Sequence, residues 1–228
     1  MKRTSASQYC GALAELLGRV EATGSTGTAL GVDDAAGAAV SLIQAVRALG
    51  RKVLLIGNGG SAAIASHVQN DLQKAAGVRA LVFNEAPILT ALANDEGYAR
   101  VFEQHIVQWA EPGDLLVAIS SSGRSENIVR AAAAAGARGC RVLTFSGFDA
   151  NNTLRGLGNL NFYVPSRRYG FVELAHGVLL HHLTDSLLAQ VVGRAAPALP
   201  KDSAYEIQIV RPSPDHRRGR LRRRRAGA

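Results

Sequence analysis

VLLIGNGGSA, residues 53–62, begins as a short apolar run and passes directly into a turn of small residues. Four consecutive aliphatic residues predict a buried strand, and the alanine-rich sequence that follows predicts a helix. A helix that begins at such a turn presents unpaired backbone N–H groups and the positive end of its dipole. The stretch therefore predicts a strand, a glycine turn and a helix whose first residues suit a phosphate group.

LLVAISSSGRS, residues 115–125, repeats this arrangement with serine in place of most of the glycine. Its hydroxyl groups add hydrogen-bond donors to the backbone N–H groups of the turn. Either turn alone could be ordinary, because small residues suit tight turns and serine caps helices. Two such turns in one domain indicate a phosphorylated ligand, held mainly by backbone and hydroxyl donors, since Arg124 is the only cation in either turn.

A nucleotide is a weaker interpretation of the first turn. Gly57-x-Gly59-x-x-Ala62 satisfies the dinucleotide-binding fingerprint in outline. However, the acidic residue expected about 20 positions further on is not clearly present. No Gly-Lys-Ser/Thr follows to make a Walker A loop. A nucleotide-binding regulator therefore ranks behind the two hypotheses given below.

Strands and helices alternate through the middle of the chain, which predicts a parallel sheet covered by helices on both faces. The predicted strands are 53–56, 80–83, 115–119, 141–145 and 160–164, and the predicted helices are 62–75, 87–93, 98–110, 128–135 and 172–192. We expect a flavodoxin-like, doubly wound sheet of five parallel strands in the order 2-1-3-4-5. N-terminal helices near 7–20 and 35–49 precede it, with a connection over 23–28. In that order both turns open into one crevice.

Charge, cysteine content and hydropathy indicate which partners and which cellular compartment the protein could have. The net charge is +8, but the segment from Arg211 onward holds eight arginines and one aspartate. Such a block is typical of a solvated tail, and contact with nucleic acid stays open without being favoured. No apolar run approaches the ~20 residues of a membrane span. Cys10 and Cys140 form no CxxC motif, so we expect a cytoplasmic protein with reduced thiols.

Composition also divides the chain into three parts. We expect an N-terminal helical extension over residues 1–34 and one α/β domain over residues 35–195. A disordered basic tail would occupy residues 196–228.

Three polar groupings lie outside the turns. His67 and Asp71 stand four apart on the helix after the first turn, so they share a face. They could bind a metal, move a proton or simply form a surface hydrogen bond. On the last helix Glu173 and His181 are roughly 80° apart and can share a side. Asn94-Asp95, taken by itself, is ordinary turn chemistry.

Together these motifs resemble the SIS (sugar isomerase) domain family, and in particular its phosphoheptose isomerases. The resemblance runs from about Ala35 to Gln190 and depends on the order and spacing of all the motifs. It is carried by GNGGSA (57–62), His67-x-x-x-Asp71, AND (93–95), GD (113–114), ISSSG-x-S (119–125) and VE-x-x-H (172–176) with His181. The chain departs from the common family pattern at two positions. The family usually has glutamate where Asp71 stands and glutamine where Glu173 stands.

The resemblance implies roles for individual residues. The sugar phosphate would be bound by Asn58, Gly59, Gly60, Ser61, Asp71, Asn94, Asp95, Ser120, Ser121, Ser122, Ser125 and Glu173. A zinc ion, one per subunit, would be held by His67, Asp71, Glu173 and His181. Asp71 would be the catalytic base, and His181 the acid or ring-opening partner. The family is typically tetrameric, with sites at subunit interfaces.

These roles predict an aldose–ketose isomerase. It would interconvert sedoheptulose 7-phosphate and D-glycero-D-manno-heptose 7-phosphate by moving a proton between C1 and C2 through an enediol. The alternative is a non-catalytic SIS protein that binds a sugar phosphate and associates with the replication initiator or another partner. Relatives of that kind lack the metal-site histidines, so the presence of His67 and His181 favours catalysis.

Overall fold

The computed structural model describes residues 5–192, which fold into a seven-stranded sheet covered by helices. The strands are β1 (Glu21–Gly24), β2 (Ala29–Leu30), β3 (Lys52–Gly57), β4 (Arg79–Val82), β5 (Leu115–Ser120), β6 (Arg141–Gly147) and β7 (Leu160–Val164). The helices are α1 (Ala6–Leu17), α2 (Val32–Ala48), α3 (Gly60–Lys74), α4 (Ala86–Glu96), α5 (Val101–Trp109), α6 (Glu126–Ala137) and α7 (Tyr169–Val192). Short 3₁₀ turns occupy Tyr98–Arg100 and Leu154–Gly156. The predicted basic tail lies outside the described residues.

The parallel part of the sheet has the predicted topology. The full strand order is β2-β1-β7-β6-β5-β3-β4, and the pairs among β3, β4, β5, β6 and β7 are all parallel. Numbered along the chain, these five strands lie in the order 2-1-3-4-5. The flavodoxin-like, doubly wound arrangement is thereby confirmed, and β3 and β5 are neighbours at its centre.

Two further strands were not predicted, so the sheet has seven strands instead of five. The segment expected to be only a connection forms the β1–β2 hairpin, whose turn includes Gly27 with a φ of +76°. β1 pairs antiparallel with β7, with Ala22 opposite Phe162. The Asn161 side chain donates to the Thr23 carbonyl at 3.3 Å. Both strands are short, and residues 23–28, from the end of β1 to the residue before β2, are threonine, glycine and serine, so the sequence predicts a turn there.

The core lies on both faces of the sheet because successive side chains of a strand point to opposite sides. Val53 and Leu55 of β3 pack in the cluster that includes α2, α3 and α7. Leu54 and Ile56 pack in the cluster that includes α5 and α6. This two-sided burial explains why the strand is an unbroken apolar run. Among the described helices, none is long and apolar enough to cross a membrane.

A buried ion pair fixes the ends of β3 and β5 opposite the two turns. Asp114 is fully buried, and its Oδ2 lies 2.8 Å from Lys52 Nζ. Its Oδ1 accepts the Lys52 backbone N–H at 3.0 Å, and Oδ2 accepts the Glu111 N–H at 2.8 Å. The carboxylate therefore holds the two strands in register and so sets where the turns emerge.

Candidate functional site

The first turn leaves β3 through three glycines at which a side chain would clash with neighbouring atoms or strain the backbone. A Cβ on Gly57 would lie 2.6 Å from the backbone of Ser61, and Gly59 has a φ of +53°, a conformation that favours glycine. A Cβ on Gly60 would lie 2.6 Å from the Glu173 carboxylate. The glycines thus let the chain reverse tightly and bring the start of α3 against α7.

The second turn emerges beside the first because Gly57 and Ile119 are paired in the parallel register of β3 and β5. Ser120 Oγ donates to Ser125 Oγ at 3.2 Å and accepts the Gly123 N–H at 3.2 Å. Gly123 has a φ of +62°. The second turn is therefore held in shape by its own hydroxyl groups.

One cavity joins both turns. It is lined by Asn58, Ser61, Ile119, Ser120, Ser121, Ser122, Ser125, Tyr169 and Glu173. The hydroxyl of the buried Ser121 has no hydrogen-bond partner within residues 5–192. A buried hydroxyl without a partner is costly, and such groups need an explanation. An oxygen of a bound ligand would supply the missing partner.

Neutral donors dominate this cavity. The guanidinium of Arg124, the one cation of the two turns, donates to Asp149 Oδ2 at 2.7 Å. The cavity also includes the carboxylate of Glu173. A phosphate here would therefore depend on hydroxyl groups, backbone N–H groups and the positive ends of α3 and α6.

A second grouping lies on the facing sides of α3 and α7. His67 Nε2 lies 3.4 Å from Asp71 Oδ2, and His181 Nδ1 lies 3.9 Å from the same oxygen. The two imidazole rings have centroids 4.8 Å apart. About half of each histidine side chain is exposed, whereas Asp71 is 23% exposed. Two imidazoles around a carboxylate could hold a metal ion or move a proton.

The other residues predicted for the site lie outside this cluster. Glu173 precedes His181 by eight residues, or about 12 Å along the helix, and lines the serine cavity with the turns. In the part of the chain that the structure describes, the potential metal ligands that cluster are His67, Asp71 and His181, without Glu173. Asn94 donates to Asp95 Oδ1 at 2.8 Å, and both are exposed near the end of α4.

The cavity and the cluster are separated along α3. Asp71 follows Gly60 by eleven residues, which corresponds to about 16 Å at the rise of an α-helix. Gly60 lies at the first turn, so along α3 the cluster residue His67 is about two helical turns, and Asp71 about three, away from the serine cavity of the same chain. The two groupings have to be considered as separate parts of a site.

His176 of α7 is fully buried between these groupings and the sheet. Its Nε2 lies 3.1 Å from the Ser146 carbonyl oxygen, and its Nδ1 has no partner in the described part of the chain. Burial lowers the pKa of His176 to about 4, so the imidazole is neutral near pH 7. A neutral ring that donates to a carbonyl anchors α7 to the end of β6.

Tyr169 is a lining residue that sequence reasoning missed. It begins α7, its ring is exposed at the cavity, and it packs edge-on against Phe148 with centroids 4.8 Å apart. Phe148 has a φ of +61°, which is rare outside glycine. A tyrosine at a helix start belongs to no motif, so only the fold could bring it to the serine turns.

Comparisons relate the chain to known proteins. The SIS domain family model matches residues 8–147. The phosphoheptose isomerase of Syntrophotalea carbinolica is 35% identical over 155 residues, which cover 65% of this chain and 78% of that protein. A solved phosphoheptose isomerase structure from Neisseria gonorrhoeae has a TM-score of 0.63 at 30% identity, covering 68% of this chain and 86% of its own. The corresponding structure from Francisella tularensis has a TM-score of 0.64 at 26% identity, covering 69% and 86%.

Proposed function

Because this chain belongs to the SIS domain family, we propose that it is a phosphoheptose isomerase that interconverts sedoheptulose 7-phosphate and D-glycero-D-manno-heptose 7-phosphate. The observation that carries this proposal is the cluster of His67, Asp71 and His181 in a chain so similar to phosphoheptose isomerases. A protein that only binds a sugar phosphate needs the serine cavity but has no use for two imidazoles around a carboxylate. No observation within residues 5–192 favours the partner-binding alternative.

The serine cavity would bind the phosphate end of the substrate. Ser121 offers an unpaired hydroxyl, and the starts of α3 and α6 offer backbone N–H groups. Glu173, at the same cavity, would accept hydrogen bonds from the hydroxyl groups of the sugar. Holding the phosphate end of the sugar positions its other end, C1 and C2, for reaction.

The cluster would supply the proton transfers. Asp71 Oδ2 faces both histidines, which leaves Oδ1, engaged only with Asn70 Nδ2 at 3.5 Å, to take a proton from C1 of the ketose. His181 faces Asp71 through Nδ1, so Nε2 would give a proton to the carbonyl oxygen at C2. The product is an enediol. Return of the proton to C2 and loss of the proton from the C1 hydroxyl then give the aldehyde.

The same cluster suits zinc, which the resemblance implies. One carboxylate oxygen and two imidazole nitrogens lie within 4.8 Å of one another, and three such ligands leave an open position as in catalytic zinc sites. His67, Asp71 and His181 would hold the ion. Zinc bound there would polarise a substrate oxygen as a Lewis acid.

The separation of cavity and cluster supports an oligomer. A seven-carbon sugar phosphate is shorter than the ~16 Å of helix between the first turn and Asp71. We therefore propose that a neighbouring protomer of a homotetramer supplies the cluster that faces this cavity. His67 and His181 are half-exposed and so remain accessible to such a neighbour. We further propose that the enzyme works in the cytoplasm, where its unpaired cysteines would stay reduced.

A direct assay tests the proposed function. Purified, zinc-loaded protein should convert sedoheptulose 7-phosphate to the aldose, and Asp71→Asn should lower kcat by at least about 100-fold because the base is lost. Asp33→Asn, which removes an exposed carboxylate of α2, is the matched control and should keep full activity. The absence of any isomer from the wild-type protein, or equal rates for wild type and Asp71→Asn, would overturn the proposal.

A further inference from the structure

Asn58 in the first turn and Asn127 at the start of α6 pair through their amide groups. Asn58 Nδ2 donates to Asn127 Oδ1 at 3.0 Å, and Asn127 Nδ2 donates to Asn58 Oδ1 at 2.9 Å. The Tyr98 hydroxyl donates to the same Asn58 Oδ1 at 2.9 Å. The first turn, the helix after the second turn and the 3₁₀ turn before α5 therefore meet at the Asn58 amide.

The backbone fixes the direction of this network. Asn127 Oδ1 also accepts the Ile128 N–H at 3.0 Å, a hydrogen that is shared with the Ser125 carbonyl oxygen at 3.0 Å. A reversed Asn127 amide would set its N–H₂ donor against this N–H, so the oxygen occupies this position and the nitrogen faces Asn58 Oδ1. The atom of Asn58 that faces that nitrogen must be an acceptor, and it then also accepts the Tyr98 proton. Asn127 is 3% exposed, so reversing either amide would leave buried polar groups unpaired at a cost.

The network leaves the Asn58 side chain with a single free group. Both lone pairs of its Oδ1 are used, and one of its two Nδ2 hydrogens is donated to Asn127. Asn58 lines the serine cavity, whereas Asn127 and Tyr98 do not. The one group that Asn58 retains for a ligand is therefore an N–H, which attracts an anion. A reversed amide would instead offer an oxygen, which repels one.

We propose that Asn127 and Tyr98 are positioning residues that orient the Asn58 amide so that it offers an N–H, and not an oxygen, to the phosphate-bearing substrate. The identity of that substrate rests on the proposed function. Neither positioning residue lines the serine cavity, so both would act on the substrate through Asn58. Tyr98 acts from a ring that is 58% exposed, so its hydroxyl can be removed with little effect on the core.

Two single substitutions and their combination test this proposal. Tyr98→Phe removes only the hydroxyl, and Asn127→Asp replaces the amide donor with an oxygen while keeping the size of the side chain. We expect Tyr98→Phe to raise KM for sedoheptulose 7-phosphate about 3- to 10-fold, with kcat within about twofold. Asn127→Asp should raise KM further, because Asn58 Oδ1 loses the donor that faced it and meets a carboxylate oxygen instead, so residue 127 no longer holds the amide in one orientation.

The double variant separates orientation from charge. If Asn127→Asp raised KM only through its negative charge, the increase would be the same with or without the Tyr98 hydroxyl. The KM increase of the double variant would then equal the product of the two single increases. If the two residues act through one shared network, the combined effect is smaller than the product of the single effects, because the first substitution already costs the amide its fixed orientation. Tyr9→Phe is the control, since its hydroxyl in α1 makes no hydrogen bond to any residue that the structure describes, and it should leave KM unchanged.

Binding of inorganic phosphate by calorimetry repeats the comparison without turnover. If the wild-type protein binds phosphate but produces no isomer, the proposed function fails while the positioning roles are still tested by the same four variants. Less-than-multiplicative losses of phosphate affinity support the positioning roles. Multiplicative losses overturn them, as does a Tyr98→Phe variant that loses thermal stability but binds phosphate as the wild type does.

Discussion

Single residues of the serine cavity differ in what their hydroxyl groups do. Ser120 Oγ makes two hydrogen bonds within the second turn, whereas Ser121 Oγ is buried without a partner. The first hydroxyl supports the shape of the turn. The second is available to a ligand and costs stability when nothing is bound. We therefore expect one of these neighbouring serines to support the turn and the other to bind the ligand.

Ser121→Ala should separate these two effects. The free energy of unfolding is expected to stay the same or rise, because a buried unpaired hydroxyl is removed, while the affinity for inorganic phosphate falls about tenfold. Ser120→Ala should lower the free energy of unfolding by about 1 kcal/mol, since two hydrogen bonds are lost. Thermal unfolding with and without phosphate measures both. A Ser121→Ala protein as unstable as Ser120→Ala would contradict this division.

The buried His176 makes the free energy of unfolding depend on pH. Burial lowers its pKa from 6.5 to about 4, so between these values the unfolded chain binds a proton that the folded protein does not. The free energy of unfolding should therefore fall as pH drops from 6.5 towards 4, by roughly 3 kcal/mol in total, and His176 should add no slope above pH 6.5. Burial also lowers the pKa of His105, which adds a change of the same sign.

Urea unfolding between pH 4.5 and 7.5 checks this prediction. His176→Gln keeps an N–H donor for the Ser146 carbonyl but cannot take up a proton. Its free energy of unfolding should vary less with pH than that of the wild type, and the difference isolates His176 from His105. Parallel pH profiles for the two proteins would show that His176 is not the group responsible.

The conformation of a whole element can depend on one backbone position, as the second turn depends on Gly123. Gly123 has a φ of +62°, and a Cβ there would lie within 2.0 Å of Asn152 Oδ1. Asn152 is itself buried and donates to the Ser146 hydroxyl at 3.1 Å. A side chain at Gly123 therefore cannot be absorbed without moving the loop after β6.

Gly123→Ala should lower the free energy of unfolding by about 2 to 4 kcal/mol, through backbone strain and displacement of Asn152. Gly136→Ala is the matched control, because Gly136 lies in α6 with nothing within 4 Å of its Cβ position. That control should raise the free energy of unfolding by about 0.5 to 1 kcal/mol through helix propensity. Equal effects of the two substitutions in urea unfolding would refute the argument.

Elements differ in how far the sequence could predict them. The parallel strands were predictable because two-sided burial makes them unbroken apolar runs, as in β3 and β5. The β1–β2 hairpin was not, because its stability comes from pairing with β7, far along the chain. Helical spacing placed His67 beside Asp71, whereas the approach of His181 to Asp71 depends on how α3 packs on α7. No local pattern carries that information.

The whole molecule is expected to work only as an assembly, because the serine cavity and the cluster of one chain lie too far apart for one substrate. Asp71→Asn lacks a working cluster, and a Ser121→Ala/Ser122→Ala protein lacks a working cavity. When the two inactive variants are unfolded and refolded together, mixed assemblies should regain activity at about one quarter of the sites, since intact cavities then face intact clusters. Light scattering should show a mass above that of a single chain.

The mixing experiment has an internal control. Refolding each inactive variant by itself, and combining the two proteins after separate refolding, should give no activity. A mixture that stays inactive although mass measurements show hybrid assemblies would place both parts of the site in the same chain.

The β1–β2 hairpin has a consequence for solubility. β7 is buried along its whole length, and β1 satisfies the backbone N–H and C=O groups on one of its sides. Without the hairpin those unpaired N–H and C=O groups would form an open sheet edge, beside apolar side chains, to which other molecules can add strands. With the hairpin present, the strand at this edge of the sheet is β2, which has only two residues and so offers few backbone groups for another molecule to pair with. Chains that lose the β1–β2 hairpin should therefore aggregate while their parallel strands are still folded.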